Sequence, residues 1–286
     1  MIPPRCAIGC DMTDDAHRWL PTNASTTLRI MADAALLAGQ GLRVASRQLG
    51  GLTITEKTRG DFVSNADLQA EKVIFDHLMR HFPDYGWLGE ETQERASGQD
   101  GLRWIVDPLD GTTNFLKGLP HWAVSIALFQ GDDPRAALIY DPAKAEMFCA
   151  ENGKGAYLNG QAITVSEAVP FSAAVVASGV PAGGRTTYLP HCLDDLRQLM
   201  PQTAGLRRWG AAALDLAYVA AGRFDAYWER NLGPWDIAAG MLIVREAGGR
   251  FTPLWADQDV LSSGSFLASN GALHDAVEAG LNQARL

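Results

Sequence analysis

The sequence predicts an α+β chain, its helices and strands stacked in layers around one core. Three observations carry this reading. Apolar residues recur at helical spacing near the N-terminus, short apolar runs bounded by Asn-Gly turns fill the middle, and helical and strand patterns share the remainder.

Taken in order, residues 27–49 place Leu28, Met31, Ala35, Leu36 and Val44 on one helical face, and Gly50-Gly51 supplies a stop. A short strand over 52–56 and a polar turn, KTRGD, precede a second helix over 66–81, where Ala70, Val73, Ile74 and Leu78 share a face and Ser64 or Asn65 is the N-cap. The segments YGWLG, RWIVD, HWAVSIALF and RAALIY read as strands, followed by hairpins turning at Asn152-Gly153 and Asn159-Gly160. A strand at 173–178, helices at 188–200 and 211–221, a strand at 224–229 and a helix from Pro234 or Trp235 to Ala247 complete the pattern; Gly248-Gly249 ends that helix and a strand follows. No repeat, low-complexity tract or linker divides the chain. Residues 1–24 are expected to be a poorly ordered extension, with Met12 an alternative start, and 25–286 one domain whose two sub-regions meet near residue 150.

The 286 residues, 47% hydrophobic and 20% charged, suffice for a large core. A formal net charge of -9 opposes broad electrostatic attachment to nucleic acid or anionic lipid, leaving Arg207-Arg208 as a local basic patch. Cys6, Cys10, Cys149 and Cys192 form no CxxC pair, which argues against structural zinc and points to the reducing cytoplasm. No apolar run reaches the roughly 18 residues of a membrane helix, and the N-terminus lacks a secretory apolar core.

Acids collect at the ends of predicted elements: Asp67 and Asp236 at helix starts, Glu90-Glu91 and then Asp107 and Asp110 after strands. Each alone has a plain structural role, as a helix cap, a solvated loop or a turn former before Pro108. Together they are hard oxygen ligands with no histidine beside them, a set suited to Mg²⁺ rather than Zn²⁺. Such ions commonly handle phosphate, and Gly111-Thr112-Thr113-Asn114 offers backbone N–H groups to an anion. Competing motifs are weaker. His77 and His81 lie one helical turn apart without the glutamate of HExxH, there is no GxxxxGK[ST] loop, and Gly153-x-Gly155 sits in a hairpin.

The block WIVDPLDGTTNF, from Trp104 to Phe115, resembles the signature of the inositol monophosphatase family. LGEE ending at Glu91 and PWDIAAGMLIVREAGG starting at Pro234 resemble its other two metal-binding blocks, in the family's order. DFVSNADLQAEKVI, GAYLNG and RRWGAAALDLAYVAAGRFDAYWE extend the resemblance over about residues 27–275. It implies a layered αβαβα sandwich, Mg²⁺-dependent hydrolysis of a phosphate monoester, a homodimer and sensitivity to Li⁺. Carried over by residue, Glu90, Asp107, Asp110, the carbonyl of Leu109 and Asp236 would bind metal. Asp67 would support the site, Thr112 would act with Glu90 on the attacking water, and Gly111, Thr112 and Thr113 would contact phosphate. This chemistry is coherent on its own: a phosphate monoester already carries negative charge, so cations that neutralise it and activate water remove any need for a histidine or cysteine nucleophile.

Glu229 matches the family's acid for substrate hydroxyls, which suits a polyol, and Asp110 would serve both metal and substrate. Lys57 resembles the family lysine before the second helix and is alternatively a solvated side chain. Ala211 departs from the family, which often has Ser or Thr there, so a hydroxyl contact is lost and the alcohol is less defined. The sequence thus points to an inositol-1-phosphate phosphatase. Histidinol phosphate, fructose 1,6-bisphosphate, NADP and 3′-phosphoadenosine 5′-phosphate are the substrate alternatives, and a transcription-associated interaction protein is the alternative of another class.

Overall fold

The computed structural model describes residues 17–98, 100–167, 169–181, 187–255 and 257–283. Of the expected N-terminal extension, residues 1–16 lie outside the described residues, while Leu20 is buried in the first core layer.

Helix α1 (Thr26–Ala45) starts at Ser25, whose side chain accepts the Leu28 N–H. It stops short of the expected Leu49. Ser46 closes its last turn, its hydroxyl donating to the Arg43 carbonyl at 3.0 Å, and Leu49–Gly51 form a separate 3-10 turn. The hairpin of β1 (Ile54–Thr58) and β2 (Asp61–Ser64) leads into α2 (Asn65–His81). Of the two candidate caps it is Ser64 that serves, accepting from Ala66 N, while Asp67 returns a bond to the Ser64 N–H at 3.0 Å.

The middle of the chain forms a seven-stranded sheet in chain order: β3 (Gly86–Gly89), β4 (Leu102–Asp110), β5 (Ala123–Gln130), β6 (Asp133–Asp141), β7 (Glu146–Glu151), β8 (Ala156–Leu158) and β9 (Gln161–Ile163). Only its first pair is parallel; the others are antiparallel, as the hairpin reading of this region expects. A short helix, α3 (Thr112–Leu116), interrupts the path from β4 to β5.

The rest builds β10 (Val175–Ser178), α4 (Leu189–Leu199), β11 (Gly205–Arg207), α5 (Ala212–Ala220), β12 (Ala226–Glu229), α6 (Pro234–Glu246), β13 (Arg250–Pro253), α7 (Val260–Ser263), β14 (Phe266–Ser269) and α8 (His274–Gln283). Its five-stranded sheet runs β11-β10-β12-β14-β13.

Alternation along the strands sorts the side chains into layers. On β4, Trp104 and Val106 pack against α1 and α2, whereas Ile105 faces α5 and α6. Because both faces are covered, β4 is a continuous apolar run rather than an alternating one. On β12, Tyr227 joins the core shared with α5 and α6, while Ala226 and Trp228 join Leu199 of α4 and Val277 and Leu281 of α8. The stack is therefore α1/α2, seven-stranded sheet, α5/α6, five-stranded sheet, α4/α8, which is the expected αβαβα order. Each fully buried Leu, Phe or Met contributes roughly 1.5–3 kcal/mol by leaving water. The termini of β4, α5, β12 and α6 converge at one end of this stack, where the acids lie.

Candidate active site

Asp107 and Asp110 are three residues apart on β4, a spacing that points side chains to opposite faces of a regular strand. The pairing with β5 is irregular here: Asp107 stands opposite Ser125 and Asp110 opposite Ala123, so three steps on β4 meet two on β5. The extra residue is a bulge at Pro108-Leu109, a place where proline's missing N–H costs no ladder bond. The bulge turns both acids into one cleft, and the Leu109 N–H donates to Asp107 Oδ1 at 2.8 Å.

Asp236 reaches the same point from the first turn of α6, where it also accepts the Gly233 N–H at 2.7 Å. Asp110 accepts Ala212 N–H at 3.2 Å and Ala213 N–H at 2.8 Å at the start of α5. It thereby caps a helix whose N-cap residue, Ala211, has no side-chain donor or acceptor.

One carboxylate oxygen from each of Asp107, Asp110 and Asp236 lies within 4.8 Å of the others. If all three were ionised, each pair at that separation would repel by roughly 3 kcal/mol at an effective dielectric near 20, a large sum beside a folding stability of about 5–15 kcal/mol. The cluster therefore calls for a proton or a cation. Burial, with the charges of Glu90, Asp110 and Asp236 adding to it, pushes Asp107 well above the usual carboxylate range. Burial likewise pushes Asp110 up to about 8 and Asp236 up to about 7. All the donors are oxygen and none is histidine or cysteine, so a hard divalent cation fits them.

Glu90 lines the same cleft beside Asp107, whose carboxyl its charge raises, and pairs with Lys57 at 3.1 Å. Lys57 also pairs with Glu91 at 2.6 Å, so it is not a solvated side chain. Burial pulls its ammonium down, yet the two glutamates outweigh that and hold it above its ordinary value. Burial raises Glu90 to about 7 against the pull of Lys57. The loop carrying Glu90 is clamped from below by buried Glu71, which accepts Glu91 N–H at 2.9 Å and the Thr92 hydroxyl.

Gly111 begins α3 with φ 86°, a left-handed conformation, and an added Cβ would lie 3.0 Å from the His121 carbonyl. The Thr112 hydroxyl lies 3.0 Å from both Asp67 Oδ1 and the Leu109 carbonyl. Asp67 is fully buried and touches the cleft only through Thr112; the same carboxylate caps α2, so its structural and site roles coexist. Asn114 fixes the loop by donating to the His121 and Trp209 carbonyls, each at 2.8 Å.

The cleft has a volume of about 780 Å³, and Leu109, Gly111, Thr112, Thr113 and Glu229 line it with the acids. Sequence reasoning missed Arg208 as part of its wall, where Nη2 donates to the Val180 carbonyl at 3.0 Å. The signal was its position two residues before Gly210. It also missed Tyr227, an apparently ordinary core residue whose hydroxyl donates to Glu229 Oε2. His77 and His81 belong to no such cluster of potential metal ligands among the described residues.

The family model for the inositol monophosphatase family matches residues 23–285. A Rhizobium meliloti protein named inositol-1-monophosphatase is 45% identical over 247 residues, covering 86% of this chain and 92% of its own. A Pseudomonas aeruginosa protein named Nus factor SuhB is 41% identical, over 85% of this chain and 91% of its own. Among solved structures, the extragenic suppressor protein suhB from Bartonella henselae superposes with a TM-score of 0.87 at 42% identity, covering 91% of this chain and 99% of that one. With motif, layer order and acid cluster in agreement, this chain belongs to the inositol monophosphatase family and is a phosphatase.

Proposed function

We propose that the protein is a Mg²⁺-dependent phosphate monoester hydrolase acting on inositol 1-phosphate. The observation that carries this reading is the cluster of Asp107, Asp110 and Asp236, an all-oxygen donor set whose mutual repulsion a hard cation relieves. Glu90 and the carbonyl of Leu109 complete the ligand set. When bound, Mg²⁺ neutralises phosphate charge and lowers the pKa of water at the site.

The chain's own groups do the rest. Gly111, Thr112 and Thr113 seat the phosphate beside Asp110. Thr112, held by Asp67, orients the attacking water together with Glu90. Glu229 accepts hydrogen bonds from hydroxyls of the departing alcohol, which favours a polyol. The names of relatives at 44–45% identity support the same substrate. We further propose a homodimer that works in the cytoplasm and is inhibited by Li⁺; no described helix is long and apolar enough to cross a membrane.

The test is a panel of phosphate monoesters assayed for released phosphate with and without Mg²⁺. Inositol 1-phosphate is expected to give the highest kcat/KM. A higher value for histidinol phosphate, fructose 1,6-bisphosphate, NADP or 3′-phosphoadenosine 5′-phosphate would reassign the alcohol. Relatives named Nus factor SuhB support a second role as an interaction protein. A pull-down from native extract tests it, and recovery of the homodimer alone would count against it.

A further inference from the structure

Strand β12 presents Tyr227 and Glu229 on one side, two residues apart, at the edge of the cleft. The Tyr227 ring is fully buried, edge-on to Phe266 with centroids 5.2 Å apart, and its hydroxyl donates to Glu229 Oε2. Burial, with the Glu229 charge adding to it, pushes the phenol well above its ordinary value, so the group stays a donor throughout the working pH range.

Gly179 directly follows β10, in the parallel register that sets Ser178 beside Trp228. A Cβ added to Gly179 would lie 1.7 Å from Glu229 Cδ and 1.8 and 2.1 Å from its two oxygens. The carboxylate thus occupies the space where any other residue at 179 would put its side chain. On the opposite side of β12, Trp228 Nε1 donates to Asp195 Oδ2 at 3.2 Å and Arg230 forms a buried ion pair with the same carboxylate. These contacts fix the strand, and with it the Cα of Glu229, against α4.

We infer that Tyr227 and Gly179 are positioning residues that determine how strongly the enzyme discriminates for hydroxylated alcohols. Gly179 leaves the seat in which the Glu229 carboxylate lies, and Tyr227 holds one of its oxygens so that the group meets a substrate's hydroxyls in a single orientation. The inference rests on the proposed role of Glu229 and extends it to two residues that would touch no substrate.

The test compares kcat/KM for inositol 1-phosphate with that for a featureless aryl phosphate. It uses the wild type, Tyr227→Phe, Gly179→Ala, Glu229→Ala and the double variant Tyr227→Phe/Glu229→Ala. Tyr227→Phe keeps the ring and loses one hydrogen bond to a charged group, so the polyol-to-aryl ratio should fall about fivefold to tenfold, mostly through a higher KM for the polyol ester. Gly179→Ala should lower the ratio as far as Glu229→Ala does, and the double variant no further than Glu229→Ala alone. A merely structural role would depress both substrates together and lower Tm. An unchanged ratio in both Tyr227→Phe and Gly179→Ala, with a reduced one in Glu229→Ala, would overturn the inference, as would independent, multiplying losses in the double variant. If Glu229→Ala itself leaves the ratio unchanged, the polyol reading fails first and takes the inference with it.

Discussion

Removing Asp195 should destabilise the fold far more than a typical substitution. Asp195 and Arg230 are an ion pair whose side chains are 0% and 2% exposed, linking α4 to the end of β12 beside Glu229. Asp195 also accepts from Trp228 Nε1, and Arg230 Nε already has no partner. Asp195→Ala would leave a guanidinium buried with its carboxylate gone, a defect that costs about 3–5 kcal/mol, and would orphan the indole N–H for about 1 kcal/mol more. Against a total stability of about 5–15 kcal/mol, that is a large fraction. Urea denaturation at fixed protein concentration measures it. Asp195→Leu combined with Arg230→Met, which replaces both charged groups by apolar ones, should cost much less than Asp195→Ala alone. A loss below about 1 kcal/mol for Asp195→Ala, or a double variant worse than the single, would refute the reasoning.

Three further outcomes are expected. Asp107→Asn should lower turnover by about a thousandfold or more, equivalent to ~4 kcal/mol of barrier, while circular dichroism stays native, because the three-acid cluster loses one charge and no packing; near-normal activity would contradict the cluster's role. Thr112→Ala should lower kcat with little change in KM, since its hydroxyl is proposed to act on the attacking water; a raised KM with unchanged kcat would reassign it to phosphate anchoring. His274 is fully buried between Ser269 and Thr252, and burial lowers its pKa from 6.5 to about 4. A depressed histidine contributes stability that is fully present above its unfolded pKa and is lost progressively as pH falls from that value to the folded one. Between pH 7 and 5 the wild type should therefore lose about 2 kcal/mol more stability than His274→Gln, measured by urea midpoints at each pH; equal losses would mean that His274 protonates freely in the native state.

Most helices and strands were legible because each carries its own periodicity, whereas the layer order followed from the family resemblance, and Asp107, Asp110 and Asp236 stood out because they sit in the long local blocks that carry it. What stayed hidden depends on non-local geometry. The bulge at Pro108-Leu109 is what sends two acids three apart into one cleft, and only the pairing with β5 reveals it. The Lys57 bridge to Glu90 and Glu91 spans more than thirty positions, so charge alone could not distinguish it from a solvated lysine. Strands β11 and β14 and helix α8 escaped notice, β11 because three residues are too few to show a period. The capping of α5 by Asp110 was also hidden, since the carboxylate comes from a strand more than a hundred positions away.

The central claim is that a hard divalent cation held by Asp107, Asp110 and Asp236 enables hydrolysis of inositol 1-phosphate. Its most direct test is phosphate release from that substrate as Mg²⁺ is titrated into chelator-treated protein. The account predicts no measurable release without the ion, saturable recovery as it is added, and no recovery in Asp107→Asn at the same concentrations. Full activity in excess chelator, or the same Mg²⁺ response in Asp107→Asn as in the wild type, would contradict it.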